Sequence, residues 1–183
     1  FISGFKCVSE PKGLMPLDQW IIDECSRIEV LAREGYSKYD VHDPAIKVRT
    51  FLWDTFASHY IELAKSRAYN DAGEFTPEER DSALFALHHV LMSVLKMLAP
   101  VIPLITYEIY RVLYGRDVHA EPFPDGSRRF EVGFTTQDVE RVNSAIWKIK
   151  KERGLQMKAE VAELIAPENL ALIQRELCRL HHI

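Results

Sequence analysis

At 183 residues, with 47% apolar and 27% charged side chains, the chain has the make-up of a folded globular domain, and disorder is excluded as its main state. Its net charge of −4 argues against a dedicated nucleic-acid binder, whose balance is normally basic. The uncharged run Met97 to Thr106 contains Pro100 and Pro103 and falls short of the ~20 residues a membrane span needs.

In chain order, residues 1–16 carry Gly4, Pro11, Gly13 and Pro16 and read as an irregular arm. The arm begins on Phe1 without a leader peptide, as an excised piece of a longer protein would. From Leu17 an apolar period of helical spacing (Leu17, Ile21, Ile28, Leu31) predicts a first helix, ended by Gly35. Asp43-Pro44 predicts a second start, with a side-chain cap followed by proline at the first helical position. Leu52, Phe56, Tyr60 and Leu63 then place one large residue per turn on one face. Thr76 and Glu79 have capping-box spacing ahead of a helix through Leu84, Leu87, Leu91, Leu95 and Leu98. Pro100 stops it, Pro103 opens a shorter helix ended by Gly115, and residues 116–133 form a long connection. Thr135 and Asp138 cap a further helix, in which Val142, Ile146 and Ile149 face inward until Gly154. Glu160–Ile165 partly alternates, as a short strand would, and Pro167 opens a last helix through Leu170, Ile173 and Leu177. The pattern predicts a mainly α, up-down helical bundle over 17–154, flanked by the arm at 1–16 and a small, truncated α/β extension at 155–183.

Several chemistries find no support. Three widely spaced cysteines lack a C-x-x-C, so neither a zinc ribbon nor a redox pair is expected, and free thiols suit the cytoplasm. Eight scattered glycines form neither G-x-G-x-x-G nor a phosphate loop, and no G-x-S-x-G elbow occurs. A di-metal bundle needs Glu-x-x-His on two helices, and none of the seven histidines has a carboxylate three residues before it. His88 and His89 point about 100° apart on a helix, poor geometry for sharing a metal. His59 and Glu62, one turn apart, suit a local hydrogen bond.

What remains is basic and aromatic. Lys148, Lys150, Lys151, Arg153 and Lys158 crowd eleven positions against the single acid Glu152. With Val142, Ile146 and Ile149 inward, these lysines face outward, either as a phosphate-binding stripe or as a solvated helix end favoured by the helix dipole. Lys65 and Arg67 precede Tyr69, an arrangement that serves either a stacked base or a plain helix terminus. Trp20, beside the Gly/Pro arm, is either a core residue or a stacking platform.

The run Phe51–Asn70 resembles the helix signature that follows the catalytic core in valyl-tRNA synthetases, particularly the archaeal type. The pattern there is Trp, Phe three on, Tyr-hydrophobic-Glu and Lys, here Trp53, Phe56, Tyr60, Glu62 and Lys65. Leu17-Asp-Gln-Trp20 resembles the family's Asp-Arg-Trp helix start, with Gln19 in place of arginine. Leu98–Glu108 resembles its Pro-hydrophobic-hydrophobic-Pro turn before Thr-Glu-Glu, with Tyr107 replacing the first glutamate. Val118–Pro124 resembles its His-x-x-Pro-(Trp/Phe)-Pro segment, and Ala145–Met157 its helix leading to a lysine- and glycine-containing turn. Together these cover roughly residues 1–170 in order and spacing.

The resemblance implies the α-helical anticodon-binding domain of a class I aminoacyl-tRNA synthetase, whose intact form would ligate valine to tRNA(Val) with ATP. The family's His-x-Gly-His and Lys-Met-Ser-Lys signatures are absent, and Lys96-Met97 continues as Leu98-Ala99. No cofactor, metal or aminoacylation activity is therefore expected of this chain alone. The implied partners are tRNA(Val) and the catalytic and editing domains of the parent enzyme, not a membrane. The implied RNA contacts are Trp20 stacking on a base, Gln19 reading a base edge, Lys65 and Arg67 holding phosphates, and Lys148, Lys150 and Lys151 touching the stem. A helical scaffold without RNA contacts, or the equivalent domain of an isoleucyl-, leucyl- or methionyl-tRNA synthetase, are the alternatives.

Overall fold

The computed structural model describes residues 1–156, 159–160 and 167–183. Among these there are seven α-helices and no strand. The strand expected at Glu160–Ile165 lies, but for Glu160, outside the described residues. The helices are α1 (Pro16–Ser37), α2 (His42–Thr50), α3 (Glu62–Tyr69), α4 (Pro77–Leu98), α5 (Pro103–Tyr114), α6 (Thr136–Glu152) and α7 (Gln174–His181). A π-helical run, Phe51–Ile61, joins α2 to α3 without a break, and short 3₁₀ turns occupy Ile2–Gly4, Val118–Ala120 and Glu168–Ile173.

The capping boxes form as the spacing predicts. Thr76 Oγ1 accepts from the Glu79 N–H at 3.2 Å while Glu79 Oε2 accepts from the Thr76 N–H at 2.8 Å. Thr135 and Asp138 repeat the exchange at the start of α6. Two boundaries differ from expectation. The oxygen that caps α2 belongs to Asp40, whose carboxylate accepts from the N–H groups of His42 and Asp43. Gly35 does not end α1; it lies inside the helix, where a Cβ would stand 2.4 Å from Pro44 Cγ. Glycine there lets the start of α2 press against α1.

Direction alternates along the chain. Gly35 of α1 meets Pro44 of α2 at one end of the bundle, and Asp18 of α1 meets Arg67 of α3 at the other. The α4 helix returns beside α1, from Met15–Ser82 to Tyr36–Met97. The common core is built of Leu17, Ile21, Phe56, Tyr60, Leu63, Leu87, Val90, Ile146 and Leu177, all buried. A smaller cluster of Leu95, Ala99, Tyr110 and Val118 seats α5 on α4. Contrary to the reading of the uncharged runs, α4 is long and apolar enough to cross a membrane by length and composition, but most of that stretch is buried inside the bundle.

The long connection is a strap. It runs back along α1: Arg33 donates to the carbonyls of Phe123 and Pro124, Glu29 accepts from the Gly126 N–H at 3.1 Å, and Asp23 accepts from the Phe130 N–H at 3.1 Å. Gly126 has φ +68°, and a Cβ there would lie 2.4 Å from Val30 Cγ2 and 2.8 Å from the Ser26 carbonyl, so only glycine fits the turn.

Candidate nucleic-acid interface

Four of the seven expected contact residues have their side chains committed inside the protein or to its backbone. Trp20 is 1% exposed; its indole N–H donates to Thr136 Oγ1 at 3.1 Å and its ring tilts against Phe134. Held against Phe134 and Thr136 at the entry to α6, the ring presents no accessible face for a base to stack on. Arg67 is fully buried and grips Asp18 with both terminal nitrogens, at 2.8 and 2.6 Å. Its Nε makes an ion-pair contact with Glu176 at 3.1 Å. Burial works against the guanidinium charge, but Asp18 outweighs it and raises the Arg67 pKa. Asp18 also accepts from Tyr60 at 2.7 Å and from Ser82, which makes Arg67 part of a closed buried network and not a phosphate ligand. Lys150 is buried as well, its ammonium donating to the His181 carbonyl at 2.7 Å. The inward line of α6 continues Val142, Ile146, Lys150 at steps of four, and Ile149 is 42% exposed. Gln19, half-buried, donates its amide to the Leu14 carbonyl at 2.8 Å, tying the arm to α1.

The other three stay at the surface, and one of them, Lys65, lines a cleft. Lys65 of α3, 2.5 Å from its turn-mate Glu62, lines a cleft of about 620 Å³ with Ser58, Ser66, Trp147, Arg179 and His182. A neighbouring hollow of about 300 Å³ shares Lys65, Ser66 and Arg179 and extends to the exposed ring of Tyr69. Arg179 pairs with Glu74, and the Ser66 hydroxyl is buried with no protein partner. Lys148 adjoins Trp147 on α6, and Lys151 stands one turn beyond Trp147 on the same face, both exposed. Of the remaining basic cluster, Arg153 is exposed at the end of α6, and Lys158 lies outside the described residues.

One asparagine sets the wall of this cleft. The Asn143 amide donates to His59 Nδ1 at 3.0 Å, and its carbonyl oxygen accepts from His181 Nε2 at 2.8 Å. The pairing makes His59 the Nε2–H tautomer and His181 a donor at Nε2. His59 therefore bonds across to α6, not to Glu62 as its spacing predicted. Burial lowers the pKa of both rings, that of His181 to about 4 with help from Lys150 and His182, so both are neutral at pH 7. Trp147 stacks on His59 with centroids 6.1 Å apart and meets His181 edge-on. The result is a fixed, half-buried indole between flexible cations, a surface suited to an aromatic ring carrying a phosphate. Trp147, Ser66, Arg179 and His182 were not legible as site residues. The only signal was the i, i+4 spacing of Trp147 and Lys151.

Residues 18–165 match a family model described as the anticodon-binding domain of tRNA ligase. The chain is 33% identical to the valine–tRNA ligase of Pyrobaculum aerophilum over 186 aligned positions, covering all of this chain and 23% of that protein. Identity to the valine–tRNA ligase of Aeropyrum pernix is 36% over 156 positions, 82% of this chain and 19% of the relative. To that of Nanoarchaeum equitans it is 32% over 175 positions, 95% and 22% respectively. The chain thus spans about a fifth of the length of these curated relatives.

Proposed function

Because the chain belongs to the anticodon-binding domain family of tRNA ligases, we propose that it grips the anticodon arm of tRNA(Val) as one module of a cytoplasmic valine–tRNA ligase. The observation that carries this reading is the cleft in which Trp147 is held between His59 and His181 with Lys65 and Arg179 across from it. An unstacked loop base lies against Trp147, its phosphates meet Lys65 and Arg179, and Lys148 and Lys151 hold the adjoining backbone. The net charge of −4 does not oppose this, because exposed charges beyond about 8 Å are screened in physiological salt. Joining valine to the tRNA with ATP is the task of catalytic domains outside this chain, with an editing domain as a further partner.

The test is a titration of the 183-residue protein with a tRNA(Val) transcript and with one carrying a scrambled anticodon, from 50 to 200 mM salt. Affinity for the first should exceed that for the second, and log K should fall linearly with log salt. Removing three charges together (Lys65→Gln, Lys148→Gln, Lys151→Gln) should flatten that slope by about 2, at ~0.7 per single-strand phosphate contact. No binding to any tRNA, the behaviour of a pure scaffold, overturns the proposal. Equal affinity for isoleucine, leucine or methionine tRNA overturns its valine part.

A further inference from the structure

Trp53 is the most exposed of the three tryptophans, at 70%, yet it sits mid-helix on a well-packed element. Covering a ring of this size would recover the stabilisation that its exposure forgoes. It does not stand alone: Arg49, Thr50, Trp53 and Asp54 line a separate hollow of about 310 Å³. Arg49 and the nearby Lys47 are exposed and form no ion pair among the described residues.

The winding of the helix relates this hollow to the cleft. In the π-helical run, residues five apart lie nearly above one another, whereas in an α-helix a step of five overshoots one turn by well over a residue. Trp53 and Ser58 are so related, and the Ser58 hydroxyl donates to the Trp53 carbonyl at 2.8 Å. Ser58 in turn lines the cleft beside Lys65. Arg49 and Trp53 line the hollow, Ser58 and Lys65 line the cleft, and the Trp53–Ser58 bond joins the two along one continuous helix.

The geometry points to a second nucleobase site, in which an unstacked base lies on Trp53, its exocyclic amino group donates to the Asp54 carboxylate, and the adjacent phosphate rests on Arg49. This rests on the RNA-binding reading above and extends it along the strand. The acceptor at Asp54 selects adenine, cytosine or guanine over uracil, because only the first three carry an amino donor.

Binding of the tRNA(Val) anticodon stem-loop to the 183-residue protein is followed by filter retention and by indole fluorescence. Trp53→Ala should weaken binding about 5- to 150-fold, the range found for losing one stacked base. Trp53→Phe should stay within a few-fold of wild type while losing part of the quenching. Arg49→Gln should flatten the salt slope by roughly 0.7. Asp54→Asn should narrow the preference of the protein for oligo(rA) and oligo(rC) over oligo(rU). Wild-type binding that Trp53→Ala leaves unchanged overturns this site while the cleft stands. Absence of wild-type binding to any RNA overturns both.

Discussion

Arg67→Ala separates a structural guanidinium from an RNA-binding one. The substitution leaves Asp18 buried with only the Tyr60 and Ser82 hydroxyls as donors and strips Glu176 of its ion-pair partner. Removing one member of a buried charge network costs about 3–5 kcal/mol, because the remaining charges stay out of water uncompensated. Against a total stability of about 5–15 kcal/mol that is a large fraction. At roughly 2–4 °C per kcal/mol for a chain of this size, Tm should fall by about 6–20 °C in a thermal melt followed by circular dichroism. The double variant Arg67→Met with Asp18→Asn should recover part of the loss, since a buried pair replaced on both sides is far less harmful than one broken on a single side. A Tm within 2 °C of wild type for Arg67→Ala, combined with weakened tRNA binding, would refute the assignment and return Arg67 to the interface.

Acid should open the C-terminal end of the bundle. His181 titrates near pH 4 when folded and near 6.5 when unfolded, and His89 behaves likewise through burial and its neighbour Arg128. Between these values the unfolded chain binds more protons, so stability is complete above about pH 6.5 and falls as pH drops towards 4. His181 alone contributes about 2 kcal/mol to the loss between pH 7 and 4.5, measurable as a drop in urea midpoint over that range. A flat profile would show that the ring is solvated. Trp20→Ala should destabilise by about 3–5 kcal/mol in urea while leaving the tRNA affinity of the folded protein unchanged; weaker RNA binding at full stability would contradict its burial. Gly126→Ala should cost roughly 1–3 kcal/mol from the left-handed backbone, with the clash against the Ser26 carbonyl added, and a neutral effect would mean that the strap is free to move.

The helices were legible because their signals are local. A threonine and an acid three residues apart announce a cap whatever the rest of the chain does, and both such pairs cap a helix. The interface was less so, because burial is decided at long range. Arg67 looks like a surface cation until Asp18, 49 positions away, and Glu176 close over it. Trp20 looks accessible until Phe134 and Thr136, the latter 116 positions away, close against it. Lys150 reads as one of a basic cluster, although its step of four from Ile146 continues the buried line towards α7. The π-helical winding, which aligns Trp53 with the cleft, has no signature in the apolar spacing of Leu52, Phe56, Tyr60 and Leu63.

The short α7 helix is fastened at both ends, by Glu176 to Arg67 and by the His181 carbonyl to Lys150, and it supplies Arg179 to the cleft. A helix of eight residues would not persist in water by itself. On the RNA-binding reading proposed above, docking of α7 and occupancy of the cleft are coupled. A tRNA present at a hundred times its dissociation constant should delay detachment of α7 by about 2.7 kcal/mol, and any solute that loosens α7 should shorten the residence time of the RNA.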